Sequence, residues 1–245
     1  MDRNTLEILL LQFRIDISGK HEARCFQKYG KLGINQLAPY DAMTMPVATQ
    51  ICDGYDAVIL GGSNINRVSA GEPKNLDAIL NVVRYCYDHD IPTYGSCFGS
   101  HLIAQALGGR VEYAPDRKEL ETIDIHLYPE AKNDPLFQEM PVQFKANAGR
   151  TDDIVELPPD AIPLAYSDNV KYHAFRIKGK PMYAVQFHAE LGQEEQRMSM
   201  MYAFRYASYF DSEEELKERQ DAIGETPIAS SLISRFIDEI VMPRA

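Results

Sequence analysis

A cysteine sits between two glycines in the stretch "YGSCFGSHLIAQALGG", residues 94–109. A small-x-nucleophile-x-small pattern at a strand-to-helix turn forms a nucleophile elbow, which pushes the central side chain into an exposed, strained position. Here that residue is Cys97, and Gly95 and Gly99 permit the close backbone approach. A helix starting at the cysteine aims its positive end at the sulfur and favours the thiolate. The competing reading is a buried cysteine beside a glycine-rich turn. A cysteine nucleophile needs a base, and the base needs an orienting group. "AVQFHAE" (184–190) supplies both, because His188 follows an apolar strand and Glu190 comes two residues later. Acyl transfer at a thiol passes through an oxyanion that backbone N–H groups stabilise. The N–H of Phe98 is the first expected donor, and Gly62 in "LGGS" (60–63) is the second.

The elements around these residues fit that chemistry. "LEILLLQF" (6–13) and "DAVILGG" (56–62) are apolar runs of the kind found in parallel strands buried on both faces. "PKNLDAILNVVRYCYDHD" (73–90) carries Leu76, Ile79, Leu80, Val83 and Tyr87 at helical spacing. "IPTYG" (91–95) reads as a strand, and the helix after Cys97 closes at Gly108 and Gly109. Strand candidates follow at 122–128, 142–147, 162–167, 172–177 and 182–188, and the tail from Gly192 reads as helical. The fold class is therefore α/β: a mostly parallel, flavodoxin-like or Rossmann-like sheet with helices on both faces. We expect one domain over residues 1–245, with a helical C-terminal extension from about 192. In such sheets ligands bind beyond the carboxyl ends of the strands, where both motifs lie.

Composition narrows the alternatives. The 245 residues are 45% hydrophobic and 25% charged, with a net charge of −11. That acidity argues against a nucleic-acid surface. No apolar run approaches the length of a membrane span. The N-terminal "MDRNTLEILLLQF" contains Glu7 and no small-residue cleavage site, so it reads as a buried strand and predicts a cytoplasmic protein. Cys25, Cys52 and Cys86 show no metal-type pairing and read as core thiols. No cofactor or metal is expected. His21, His89, His126 and His173 have no motif around them, and the acidic run at 211–220 reads as a solvated helix face.

The order "GGS … GSCFGSHLIAQALGG … AVQFHAE" resembles the class I glutamine amidotransferases, the type with a Cys-His-Glu triad. The likeness covers nearly the whole chain. The helices after "FHAE" are similar to the stand-alone branch related to the glutaminase domain of guanylate synthetase. The resemblance implies that Cys97 attacks the γ-carboxamide of glutamine and forms a γ-glutamyl thioester. It implies that His188 shuttles the proton, Glu190 holds the imidazole, and Gly62 and Phe98 form the oxyanion hole, with Gly61 contacting substrate.

This chain also departs from the family pattern. His101 replaces the glutamine four residues after the nucleophile, where it could bind substrate, perturb the thiol or simply pack. Arg150 stands where the family has a histidine, in a loop near the substrate's amino-acid end. It could grip a carboxylate bidentately or be exposed. "FHAE" and "GGS" replace "FHPE" and "GGP". Three functions follow. One is a glutaminase-type amidotransferase feeding ammonia to a separate synthase subunit, since the chain contains no "SGGxDS" or "GxxxxGK[ST]" loop. The second is a self-sufficient hydrolase of γ-glutamyl amides or peptides. The third is a non-catalytic regulator, which the complete triad disfavours.

Overall fold

The computed structural model describes residues 2–14, 16–206, 210 and 212–244. Met1, at the start of the N-terminal run, and Asp211, the first residue of the acidic run, lie outside these. Among the described residues eleven strands occur in chain order: β1 (Ile8–Gln12), β2 (Leu37–Asp41), β3 (Ala57–Leu60), β4 (Thr93–Ser96), β5 (Arg110–Tyr113), β6 (Thr122–Leu127), β7 (Gln143–Asn147), β8 (Asp152–Glu156), β9 (Ala161–Tyr166), β10 (Ala174–Ile177) and β11 (Met182–Val185). Nine of them form one sheet in the order β2-β1-β3-β4-β11-β10-β9-β6-β7, and β5 pairs separately with β8. The strands from β2 to β11 run parallel, as the apolar runs predict. Beyond β11 every pairing is antiparallel. The tight turn between β10 and β11 leaves no room for the crossover helix that a parallel pair needs.

Helices cover both faces. They are α1 (Asp16–Gly30), α2 (Leu76–Asp88), α3 (Phe98–Ala106), α4 (Gln193–Tyr206) and α5 (Glu213–Asp221), followed by helical turns at Pro227–Ser230 and Leu232–Arg235 and a π-helical segment at Phe236–Val241. β1 shows how one strand serves two cores. Ile8 and Leu10 pack with Phe26 of α1 and with Leu232, Phe236 and Ile240. Leu9 and Leu11 pack on the other side with Ile79 and Val83 of α2 and Leu102 of α3. Successive strand residues point to opposite faces, so a strand covered on both sides must be apolar throughout. Truncating Leu10 to Ala would leave a cavity costing about 2–5 kcal/mol.

Sequence periodicity did not reveal α1, β2, β5 or β8. The α1 stretch is polar and contains Gly19, a poor helix former. β5 has only Val111 buried among four residues, so no alternation is visible. The acidic run lies on α5, where among residues 213–221 Leu216 is buried. Cys25, Cys52 and Cys86 are buried thiols, as expected. No helix among the described residues is long and apolar enough to cross a membrane. A small third core of Leu120, Met200, Phe210, Leu216 and Ile223 sits beneath α4 and α5.

Candidate active site

Cys97 occupies the junction between β4 and α3 with φ 50° and ψ −105°. This is a costly backbone state for a residue with a Cβ, held only where its surroundings enforce it. The Cys97 N–H donates to the Val185 carbonyl at 2.9 Å, and its carbonyl accepts from the Ser100 N–H at 2.9 Å. The flanking glycines are steric necessities. A Cβ on Gly95 would lie 2.6 Å from the Gly99 carbonyl oxygen, and a Cβ on Gly99 would overlap the Leu60 carbonyl oxygen. Phe98 is the first residue of α3. Its N–H belongs to the group of helix N-terminal donors that have no partner within the helix.

His188 lies just past β11, where the parallel register places Val185 beside Ser96. Its Nδ1 lies 2.7 Å from Glu190 Oε1, and Ser96 Oγ donates to Glu190 Oε2 at 2.8 Å. His188 and Glu190 are both buried. Burial opposes the charged imidazole, but Glu190 and then Cys97 outweigh it and raise His188 to about 10. The same burial opposes the Glu190 carboxylate, yet His188 and Ser96 hold its pKa below the ordinary value. Cys97 Sγ lies 3.6 Å from the Gly149 carbonyl oxygen, and a Cβ on Gly149 would sit 3.4 Å from His188 Nε2. The thiol, the imidazole and the Gly149 backbone therefore share one small space.

The second oxyanion donor is not free in this structure. Gly62 N–H donates to Glu22 Oε1 at 2.8 Å. Glu22 also receives Arg14 Nε at 2.9 Å and Gln12 Nε2 at 3.2 Å. Burial raises the Glu22 carboxyl against the pull of Arg14, and three donors aimed at its oxygens suit the carboxylate. Gly61 is likewise spent inside the protein: its N–H bonds the Leu11 carbonyl and its carbonyl accepts from Gly99 N–H, each at 3.0 Å. Both glycines bind tightly against side chains, since a Cβ on Gly61 would meet Glu22 and one on Gly62 would meet Arg14, each at 2.8 Å. In this structure the Gly62 N–H and both backbone groups of Gly61 are thus occupied within the protein.

Arg150 is not the exposed residue that one reading of its loop allowed. Its side chain is 0% exposed. Nε donates to Glu119 Oε2 at 3.1 Å, one Nη to the Asp152 carbonyl at 2.8 Å and the other to the Arg117 carbonyl at 2.7 Å. His173 Nε2 meets the same Glu119 oxygen at 2.9 Å. The arginine is buried, borders the chamber around Cys97, and spends its guanidinium on these internal partners. It is the centre of a buried ion cluster. His101 does border the space around the thiol, but its Nε2 is tied by a short hydrogen bond to Gln186 Oε1. Burial lowers its pKa to about 4, so it is neutral near pH 7.

Two chambers meet at this centre. One, about 270 Å³ with its open mouth included, is bounded by Cys97, Phe98, His101, Gly149, Thr151 and Asp152. The other, about 430 Å³ measured the same way, touches His188 and Gly149 and extends past Arg14, Asn64, Gln196 and Ser199. Sequence reasoning missed Arg14, Glu22, Asn64, Ser96 and Gln196. Arg14 and Asn64 follow the carboxyl ends of β1 and β3, and that placement is the signal that could have flagged them.

Known proteins resemble this chain in sequence and in fold. The family model described as "Glutamine amidotransferase class-I" matches residues 28–207. One relative, a glutamine-hydrolyzing GMP synthase subunit from Methanococcus vannielii, is 38% identical over 148 residues, covering 56% of this chain and 76% of that protein. The Methanopyrus kandleri protein of the same name is 31% identical over 102 residues, 42% of this chain and 53% of its own length. This chain thus spans about half of that relative. A glutamine amidotransferase structure from Thermotoga maritima superposes with a TM-score of 0.75 at 16% identity, covering 96% of this chain and 98% of that one, which speaks for the fold. A family model covering most of the sequence, and an elbow cysteine set beside a paired histidine and glutamate, lead to one statement: the chain belongs to the class-I glutamine amidotransferase family.

Proposed function

We propose that this protein cleaves the γ-carboxamide of glutamine through a γ-glutamyl thioester on Cys97. The observation that carries the reading is the strained elbow at Cys97 beside a buried His188–Glu190 pair at 2.7 Å. Cys97 Sγ attacks the carboxamide carbon, and the oxyanion forms against the Phe98 N–H at the positive end of α3. His188 passes the thiol proton to the leaving nitrogen, and the C–N bond breaks. Water then attacks the thioester while His188 takes its proton. The C–S bond breaks, glutamate leaves, and the proton returns to the sulfur. Glu190 keeps His188 in the orientation and charge that these transfers need.

Relatives named as one subunit of GMP synthase support a partner chain that uses the released ammonia, and we include such a synthase partner in the proposal. The test is glutamate and ammonia release from glutamine by the purified chain, repeated with hydroxylamine to trap the acyl group. The reading expects γ-glutamyl hydroxamate from the parent chain and none from Cys97→Ser. Hydroxamate formation that survives Cys97→Ser would overturn it.

A further inference from the structure

Among the described residues, two arginines border the chamber around Cys97, Arg67 and Arg150. They differ in what their guanidinium groups do. Arg150 is occupied by Glu119 and two backbone carbonyls. Arg67 is half-buried, and among the described residues its guanidinium has neither an ion-pair nor a hydrogen-bond partner. Its central carbon lies 4.4 Å from the centre of the Tyr113 ring. Stacking on an aromatic face leaves the in-plane N–H fork of a guanidinium unused. That fork matches the two oxygens of a carboxylate.

The backbone holds Arg67 in place. Its N–H donates to Glu72 Oε2 at 3.1 Å, and its carbonyl accepts from the Ala70 and Glu72 N–H groups at 3.1 Å each. Two residues on, Ser69 gives its N–H and its hydroxyl to the Asp152 carboxylate at 3.0 and 2.7 Å. Asp152 also lines the chamber and stands opposite Tyr113 in the β5–β8 pair. The segment that carries Arg67 and the ring beneath its guanidinium are therefore anchored to the same part of the chamber wall.

The reacting geometry gives this arginine a role. The γ-carbonyl carbon of glutamine lies against Cys97 Sγ and the Phe98 N–H. The α-carboxylate is four bonds further along the same molecule, so a different part of the wall must receive it. Asp152 repels an anion, Arg150 is already occupied, and His101 is neutral near pH 7. Arg67 is the chamber cation with donors to offer.

We infer that Arg67, stacked on Tyr113, binds the α-carboxylate of the substrate and selects γ-carboxamides whose α-carboxylate is free. The inference rests on the Cys97 reading and names the residue that recognises the other end of glutamine. It moves the carboxylate grip from Arg150, where the loop sequence suggests it, to the segment after β3.

The test compares kcat/KM for cleavage of the γ-carboxamide in glutamine and in L-glutaminamide, whose α-carboxylate is a neutral amide. Losing a hydrogen-bonded charge costs about tenfold to a hundredfold, so the parent chain should favour glutamine by that factor. Arg67→Gln should lower kcat/KM for glutamine by a similar factor through KM, with kcat and the glutaminamide values held within about threefold. Arg67→Lys, which keeps the charge without the fork, should fall between the two. A parent chain that uses both amides equally well would overturn the inference and leave the Cys97 reading standing. An Arg67→Gln chain that keeps the preference, or loses both activities in proportion, would do the same. No Cys97-dependent turnover of either amide would overturn the reading beneath it, and the inference with it.

Discussion

Replacing Glu190 with Gln removes one charge and preserves the shape of the site. The Gln side chain can still accept from His188 through its oxygen and meet Ser96 Oγ through its nitrogen. At the observed 2.7 Å separation, the attraction between carboxylate and imidazolium is about 6 kcal/mol at an effective dielectric of about 20. The lift of His188 from 6.5 to about 10 corresponds to roughly 5 kcal/mol in favour of the imidazolium, of the same order. Without the carboxylate, burial is opposed only by Cys97, so His188 should titrate well below its value in the parent chain. We expect kcat for glutamate release to fall about 10³- to 10⁴-fold, the scale seen when a triad base loses its orienting carboxylate. NMR titration of labelled histidine should show the His188 midpoint moving down by several pH units. Stability should follow with a defined sign. A histidine whose folded pKa is raised stabilises fully below 6.5 and loses that contribution as pH rises through about 10. The urea midpoint of the parent chain should therefore exceed that of Glu190→Gln most clearly near pH 6, with the gap closing toward pH 10. A loss of kcat below tenfold, or an unmoved His188 midpoint, would refute this account of the pair.

Three further substitutions probe the surroundings. Glu22→Ala leaves Arg14 buried without its partner, so unfolding free energy should fall by about 3–5 kcal/mol and kcat at least about tenfold as the Gly62 loop loosens; a rise in kcat would show instead that Glu22 withholds an oxyanion donor. Arg150→Met breaks the cluster with Glu119 and His173 and should cost a similar amount in thermal or urea melts. The folded fraction should keep KM within about threefold of the parent, and a large KM increase would restore the substrate-carboxylate role. Gly99→Ala forces a methyl group onto the Leu60 carbonyl and should lower stability by about 3 kcal/mol or more; an unchanged melting curve with full activity would contradict the elbow geometry.

The parts of this site that could be read from the sequence are those formed within a few residues. The elbow needs only Gly95, Cys97 and Gly99, and the base pair needs only His188 and Glu190. Each is a local turn whose requirements are written in consecutive letters. The remaining chemistry is assembled from distant segments. Glu22 reaches Gly62 across 40 positions, and Arg14 reaches Ser199 across 185. Arg150 shows the limit most plainly. A lone arginine in a loop near the substrate suggests a grip on a carboxylate, but Glu119, 31 residues earlier, claims it. The fold was legible to a similar depth. Strands buried on both faces declare themselves by continuous apolar runs, whereas β5 buries only Val111 and β8 buries Asp152 and Asp153 beside Ile154, so neither leaves an apolar pattern.

The antiparallel half of the sheet returns to its own origin. β7 is the far edge strand, four places from β11, yet Asn147 at its end pairs with His188 just beyond β11, through a 2.8 Å bond from the histidine N–H. Asn147 Nδ2 also holds the Leu191 carbonyl at 3.1 Å. The backbone that carries the imidazole is thus fastened by the last strand of a curled ribbon. Contacts so distant in sequence form late, because the entropy of closing the chain must be met first. During refolding the parallel strands and the elbow can assemble early, while the base reaches its place only when the ribbon closes. Recovered turnover then serves as a clock for the final closure, lagging behind any probe set on β1, β3 or β4.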